Sequence, residues 1–210
     1  MKKIYIVGGG SSLRAFNFSR LRDKETIAVN KSIFHVPDPN YFITTDYTFM
    51  RKITRNLILF RKDKATKIFV VNYDNKYIKD VGGKIVDTRF RLTYDLSEFD
   101  VIIKSRKNGG IGFSFKDFRC GASSGYCALQ FAVIMGYKEI YLLGIDLTTT
   151  SRTHFHEGYG ESRIFFQNRL NLYYQYFVEG IKYLKKNTDI KVYSCSKISR
   201  LNSFIPYVEL

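Results

Sequence analysis

Two histidines stand two residues apart in the stretch LTTTSRTHFHEGYGES, His154 and His156, and they are two of the three in the chain. Imidazole is the side chain whose unperturbed pKa suits proton transfer near neutral pH. In an extended loop alternate residues diverge, so one histidine is expected to face inward and titrate near neutrality, the other to face solvent. His156, nearer the helix that follows, is the first candidate for a general base and His154 the second. Glu157 beside them does not complete a zinc pattern, so no metal is assigned. A second group follows the apolar run Ile4–Val7: Gly8, Gly9, Gly10, Ser11 and Ser12. Glycines at a strand end let backbone amides approach a phosphate closely. The dinucleotide fingerprint is incomplete, since its third glycine is missing and Asn30 stands where an acidic ribose ligand is expected. A third group is Ser123, Ser124 and Gly125, in the position of a helix N-cap and first turn, where unpaired amides favour an anion.

These groups need elements to carry them. The stretch Gly121–Asp146 reads as a helix apolar nearly all round, Tyr126–Met135, stopped by Gly136 and followed by a buried strand, Glu139–Ile145. Further strands are expected at Ile4–Val7, Thr26–Val29, Tyr41–Thr45, Lys67–Asn72, Lys84–Val86, Val101–Lys104 and Ile190–Ser194. Helices are expected at Leu13–Leu21, at Tyr47–Phe60 (basic and amphipathic) and at Ser162–Lys186. The last carries Phe166, Leu170, Tyr173, Tyr174, Phe177, Ile181 and Leu184 at helical spacing, read as core packing rather than as a site. Short continuous apolar strands alternating with helices predict an α/β, Rossmann-like three-layer sandwich with a mainly parallel central sheet. Gly8, Asn30, Asp46 and Asp146 then fall at successive strand ends, as a cleft along the carboxyl edge requires.

With 210 residues, 45% of them hydrophobic, the chain suits a single α/β domain over 1–210, with possible mobile loops near 104–118 and 147–161. No apolar run reaches membrane-spanning length, and the short run after Lys2 and Lys3 reads as a strand rather than a signal peptide. Cys120, Cys127 and Cys195 show no ligand spacing and cannot all pair, which predicts reduced thiols and a cytoplasmic setting. The net charge of +15 suits an anionic small substrate or peripheral contact with an anionic membrane face. No specific nucleic-acid module is present. A homo-oligomer is compatible with these features.

The order of motifs resembles the bacterial CMP-sialic-acid-dependent sialyltransferases of glycosyltransferase family 42 and their phage and bacterial relatives. It runs from a Gly-rich turn through Asn30, SSGYCALQFAVIMGYKEIYLLGID and a histidine loop to a long helix and IKVYSCS. The resemblance implies a Rossmann-like sheet and a nucleotide pocket made by Gly8, Gly9, Gly10, Ser11, Ser12, Asn30, Asp46, Ser123, Ser124, Gly125 and Asp146. It further implies a catalytic histidine, His156 or His154, a CMP-sugar donor, a glycan or other hydroxyl acceptor, and no required cofactor or metal. The chain differs from the family in having Gly8-Gly9-Gly10-Ser11-Ser12-Leu13 where Gly-Asn-Gly-Pro-Ser-Leu is usual, Asp46 for a second asparagine, and threonines after Asp146 where tyrosines are usual. Two rival readings share the fold. One is a pterin-type diphosphokinase in which Asp46 and Asp146 hold Mg²⁺ between phosphates. The other is a non-catalytic nucleotide-binding or phage accessory module.

Overall fold

The computed structural model describes residues 1–72, 78–81, 84–87, 92–94, 96–105, 108–148, 154–155 and 163–210. In chain order the strands and helices are β1 (Lys3–Val7), β2 (Thr26–Val29), β3 (Tyr41–Thr44), α1 (Phe49–Lys52), α2 (Leu57–Lys62) and β4 (Thr66–Asn72). There follow β5 (Ile78–Val81), β6 (Lys84–Asp87), β7 (Leu92–Tyr94), β8 (Val101–Ser105), α3 (Ser124–Ile134), β9 (Glu139–Leu143), α4 (Arg163–Asn187) and β10 (Lys191–Ser194).

Seven strands form one sheet in the order β10-β9-β1-β2-β3-β4-β8, and every pairing in it is parallel. β5, β6 and β7 form a separate antiparallel sheet. The inner strands are apolar on both faces because both faces are covered: β2 is buried throughout and Ile68, Phe69, Val70 and Val71 of β4 are at most 1% exposed. On one face Ile4, Ile6, Ile140, Leu142 and Val192 pack with α3 and with Phe177, Ile181 and Leu184 of α4. On the other, Val7, Ala28, Phe42, Phe69 and Leu143 pack under Leu13, Leu21, Ile33, Phe49 and Phe60. The result is the expected three-layer α/β sandwich, Rossmann-like, with β4 one place in from the edge.

The helices of this second face differ from expectation. Leu13–Leu21 is two short 3₁₀ turns, Ser11–Leu13 and Phe18–Leu21, because the Asn17 side chain accepts from the Ser19 amide and starts a fresh turn. The segment 47–60 is α1, a 3₁₀ turn at Thr54–Asn56 and then α2. The Thr54 hydroxyl donates to the Arg51 carbonyl at 2.7 Å, offering the backbone a local alternative to the helix where Ile53 and Thr54 are both β-branched.

Strands β2, β3, β4 and β8 succeed one another on one side of β1, whereas β9 and β10 lie on the other. The sheet therefore reverses direction between β1 and β9, and a crevice opens there beyond the carboxyl ends of the strands. Residues 108–118 lie against α3: Tyr126 donates to the Gly110 carbonyl, while Gln130 both accepts from the Gly112 amide and donates to the Gly112 carbonyl. None of these residues lines that crevice. Most of 147–161 lies outside the described residues.

Candidate active site

The crevice is a cleft of about 610 Å³. Its floor is the junction of β1 and β9. The Gly8 amide donates to Leu143 and the Gly10 amide to Gly144, each at 2.8 Å, so the parallel ladder runs on past the strands. These two amides are thus used within the sheet and do not point at a ligand. What glycine supplies here is room. A Cβ on Gly10 would lie 2.5 Å from the Asp146 carboxylate and one on Gly8 2.6 Å from the Gly144 carbonyl.

Asp146 is 2% exposed. It accepts from the Ser12 amide at 2.9 Å and from the Ser12 hydroxyl at 2.6 Å, and so clamps the Gly-rich turn to the end of β9. Asp46 accepts from the Thr48 amide and hydroxyl and pairs with Lys52 at 2.8 Å. Both carboxylates line the cleft, and each accepts hydrogen bonds from within the protein.

The wall facing the turn is the N-terminus of α3. Ser123 is the N-cap, its hydroxyl accepting from the Tyr126 amide at 3.2 Å. Ser124 bridges to β3, accepting from the Thr45 amide at 2.9 Å and lying 3.0 Å from the Thr45 hydroxyl. The first-turn amides of an 11-residue helix open here, with the positive end of its dipole. Asn30 completes the floor, its Oδ1 accepting from the Thr44 hydroxyl at 2.7 Å. Asn30 (φ 54°), Ala122 (φ 52°) and Leu147 (φ 53°) all hold left-handed backbone and all line the cleft. Such backbone is costly for non-glycine residues and persists where the surrounding structure over-determines it.

The histidine loop reaches the cleft at His154, which lines it and packs on Phe166 of α4 at 4.8 Å between ring centroids. The adjacent Phe155 is fastened on the far side. Its amide donates to the Gly9 carbonyl at 3.1 Å, and its ring packs on Phe18 and His35 at 5.4 and 4.9 Å. The pKa of His154 is not near neutrality. Burial, helped by the positive charges of Lys31 and Lys52, lowers it to about 4. His156 lies outside the described residues.

The cleft thus gathers Gly8, Gly9, Gly10, Asn30, Asp46, Ser123, Ser124, Gly125, Asp146 and His154 from six separate stretches of chain. Ser11 and Ser12 are not in its lining; Ser12 acts through Asp146. Several wall residues carried no sequence signal. Phe166, Leu170, Tyr173 and Phe177, read as core, form the α4 wall, and Arg169 joins them with its Nε donating to the Tyr173 hydroxyl at 2.8 Å. Helical periodicity marks an apolar stripe but does not tell a packed stripe from one bordering a cleft. Lys52 was legible only as one cation among many.

The Rossmann-like parallel sheet is a fold also found in glycosyltransferase structures. The sialyltransferase CstII from Campylobacter jejuni, in complex with the substrate analogue CMP-3FNeuAc, aligns with a TM-score of 0.56 at 19% identity, over 99% of this chain and 86% of its own. The monofunctional α-2,3-sialyltransferase Cst-I from the same organism aligns with a TM-score of 0.59 at 18% identity, over 99% and 80%. The MAf glycosyltransferase from Magnetospirillum magneticum AMB-1 aligns with a TM-score of 0.53 at 12% identity, over 100% of this chain and 33% of its own. At these identities the likeness is one of fold, and in fold the resemblance read from the motifs is present. No protein-family model and no curated protein matches the chain.

Proposed function

We propose that the protein is a glycosyltransferase that takes a sugar from a CMP-linked donor and places it on a hydroxyl acceptor, with no metal or other cofactor required. The observation that carries this reading is the convergence of the α3 N-terminus, Asn30 and the Gly-rich turn on one cleft, in a fold shared with a sialyltransferase captured with a CMP-sugar analogue.

In this reading the amides of Ser124 and Gly125 receive the donor phosphate and Lys52 adds positive charge beside it. The acceptor oxygen attacks the anomeric carbon, the bond from that carbon to the phosphate oxygen breaks, and the electron pair leaves with CMP. The acceptor proton passes to a histidine. His154 is unprotonated at neutral pH and so able to accept, but Lys31 and Lys52 disfavour its charged form. Burial is the larger cause of that disfavour, and a phosphate bound beside Lys52 opposes the part due to charge, so donor binding makes His154 a better base. His156 is the other base of this reading.

Release of CMP from a CMP-sugar, followed with and without EDTA, tests the proposal together with thermal melts in CMP, UDP, GDP and ATP. CMP is expected to raise the melting temperature by mass action, and EDTA to leave turnover unchanged. Stabilisation by ATP with Mg²⁺ in place of CMP would overturn it in favour of the diphosphokinase, and CMP binding with no turnover on any donor in favour of the binding module.

A further inference from the structure

Apart from Met1, the most exposed large apolar side chains among the described residues are neighbours, Ile58 at 68% and Leu59 at 62%, both on α2. The other side of this six-residue helix is anchored, since Phe60 is fully buried and packs on Phe42 and Phe49. The two aliphatic side chains are therefore held outward on a fixed support. Around them the chain reads RKITRNLILFRKDK, with six cations and one anion. Lys52 is paired with Asp46 and Arg61 with Glu98. Arg51, Arg55, Lys62 and Lys64 make no ion pair among the described residues, and all four are exposed.

We propose that this surface docks on an anionic lipid bilayer, Ile58 and Leu59 entering the interface and the four unpaired cations meeting the headgroups. Two protruding aliphatics ringed by cations match the chemistry of that boundary, where apolar insertion and attraction to anionic lipid act together. A second copy of the chain fits less well, because it brings the same positive charge to the contact. A single-stranded nucleic acid is read by stacking on aromatic rings, and the protruding residues here have none. Lys52, at the end of α1 a few residues before this surface, lines the cleft. The proposal stands whether or not the protein transfers a sugar.

Co-sedimentation with vesicles of phosphatidylcholine alone, or mixed with phosphatidylglycerol, tests it on the whole chain. The protein is expected to pellet with the mixed vesicles and not with the neutral ones, and to release at high salt. Ile58→Ser with Leu59→Ser is expected to weaken partitioning by roughly tenfold or more, and Arg55→Glu with Lys62→Glu to abolish it. All these side chains are exposed, so melting temperatures should hold and a loss of binding is not a loss of fold. Failure to pellet with mixed vesicles, or unchanged pelleting of the serine double variant, would overturn the proposal. So would a dimer that the serine variant dissolves, or tighter binding to a single-stranded oligonucleotide than to vesicles.

Discussion

Ser12 and Asp146 are 134 positions apart in sequence, and the hydroxyl of one donates to the carboxylate of the other at 2.6 Å. The same carboxylate takes the Ser12 amide, so one side chain fixes both the Gly-rich turn and the end of β9. Asp146→Ala leaves that half-buried amide without its partner. The expected cost is about 1.5–3 kcal/mol in urea unfolding, together with loss of CMP binding because the floor of the cleft loosens. Unchanged stability would show that Ser12 finds water or another acceptor at no cost.

Gly180 of α4 is expected to be intolerant for a reason unrelated to chemistry at the cleft. A Cβ there would lie 2.2 Å from the Tyr126 hydroxyl, which donates to the Gly110 carbonyl at 2.6 Å. Gly180→Ala should destabilise by about 2–4 kcal/mol through overpacking and a displaced hydrogen bond. Combining it with Tyr126→Phe should recover part of the loss, since the clashing oxygen is then gone. Simple additivity of the two changes in chemical denaturation would refute this account.

His154 makes stability depend on pH with a definite sign. Its folded pKa, about 4, lies below the ordinary histidine value, so the unfolded chain takes up the proton first. The stabilising contribution is complete above about 6.5 and is lost as pH falls from there toward the folded value. Unfolding free energies at pH 7 and pH 4 should therefore differ more in the wild type than in His154→Gln, by the order of a few kcal/mol. Equal differences would place the histidine in a more solvated setting.

Phe155 is expected to act as a positioning residue on the proposed reaction. Its ring sits between Phe18 and His35 while its backbone is tied to Gly9, which fixes where His154 stands. Phe155→Ala should lower kcat by roughly 10–10²-fold with the donor KM nearly unchanged, and Phe155→Leu should restore part of it. A parallel loss of CMP affinity in thermal melts would instead make it a structural support of the pocket.

The sheet was legible because parallel strands buried on both faces leave short continuous apolar runs, as in EIYLLGI and KIFVV, and these end where β9 and β4 end to within two residues. The helix start at Ser123 was legible because an N-cap has its own residue chemistry. The layer on the second face was not. Its apolar residues recur at helical spacing, yet Asn17 and Thr54 bond locally and cut the helices into turns. The cleft residues on strand ends could be picked out one by one, whereas the role of Ser12 depends on Asp146, 134 positions away, and Arg169 and Lys52 take theirs from where the fold sets them in the cleft wall. The three glycines misled in one respect: their spacing suggests phosphate-binding amides, and two of those amides complete a β-ladder.

The reversal of strand order between β1 and β9 has a consequence for synthesis. β1 emerges from the ribosome long before β9, and β2 can pair with only one of its sides. Until residues 139–143 are made, the other side of β1 is an open apolar edge that any extended segment can join. The nascent chain therefore carries that edge unpaired through most of its translation, and the cleft forms only when β9 closes it. A chaperone bound during that interval, or a translation rate that shortens it, would govern yield more than the stability of the finished fold.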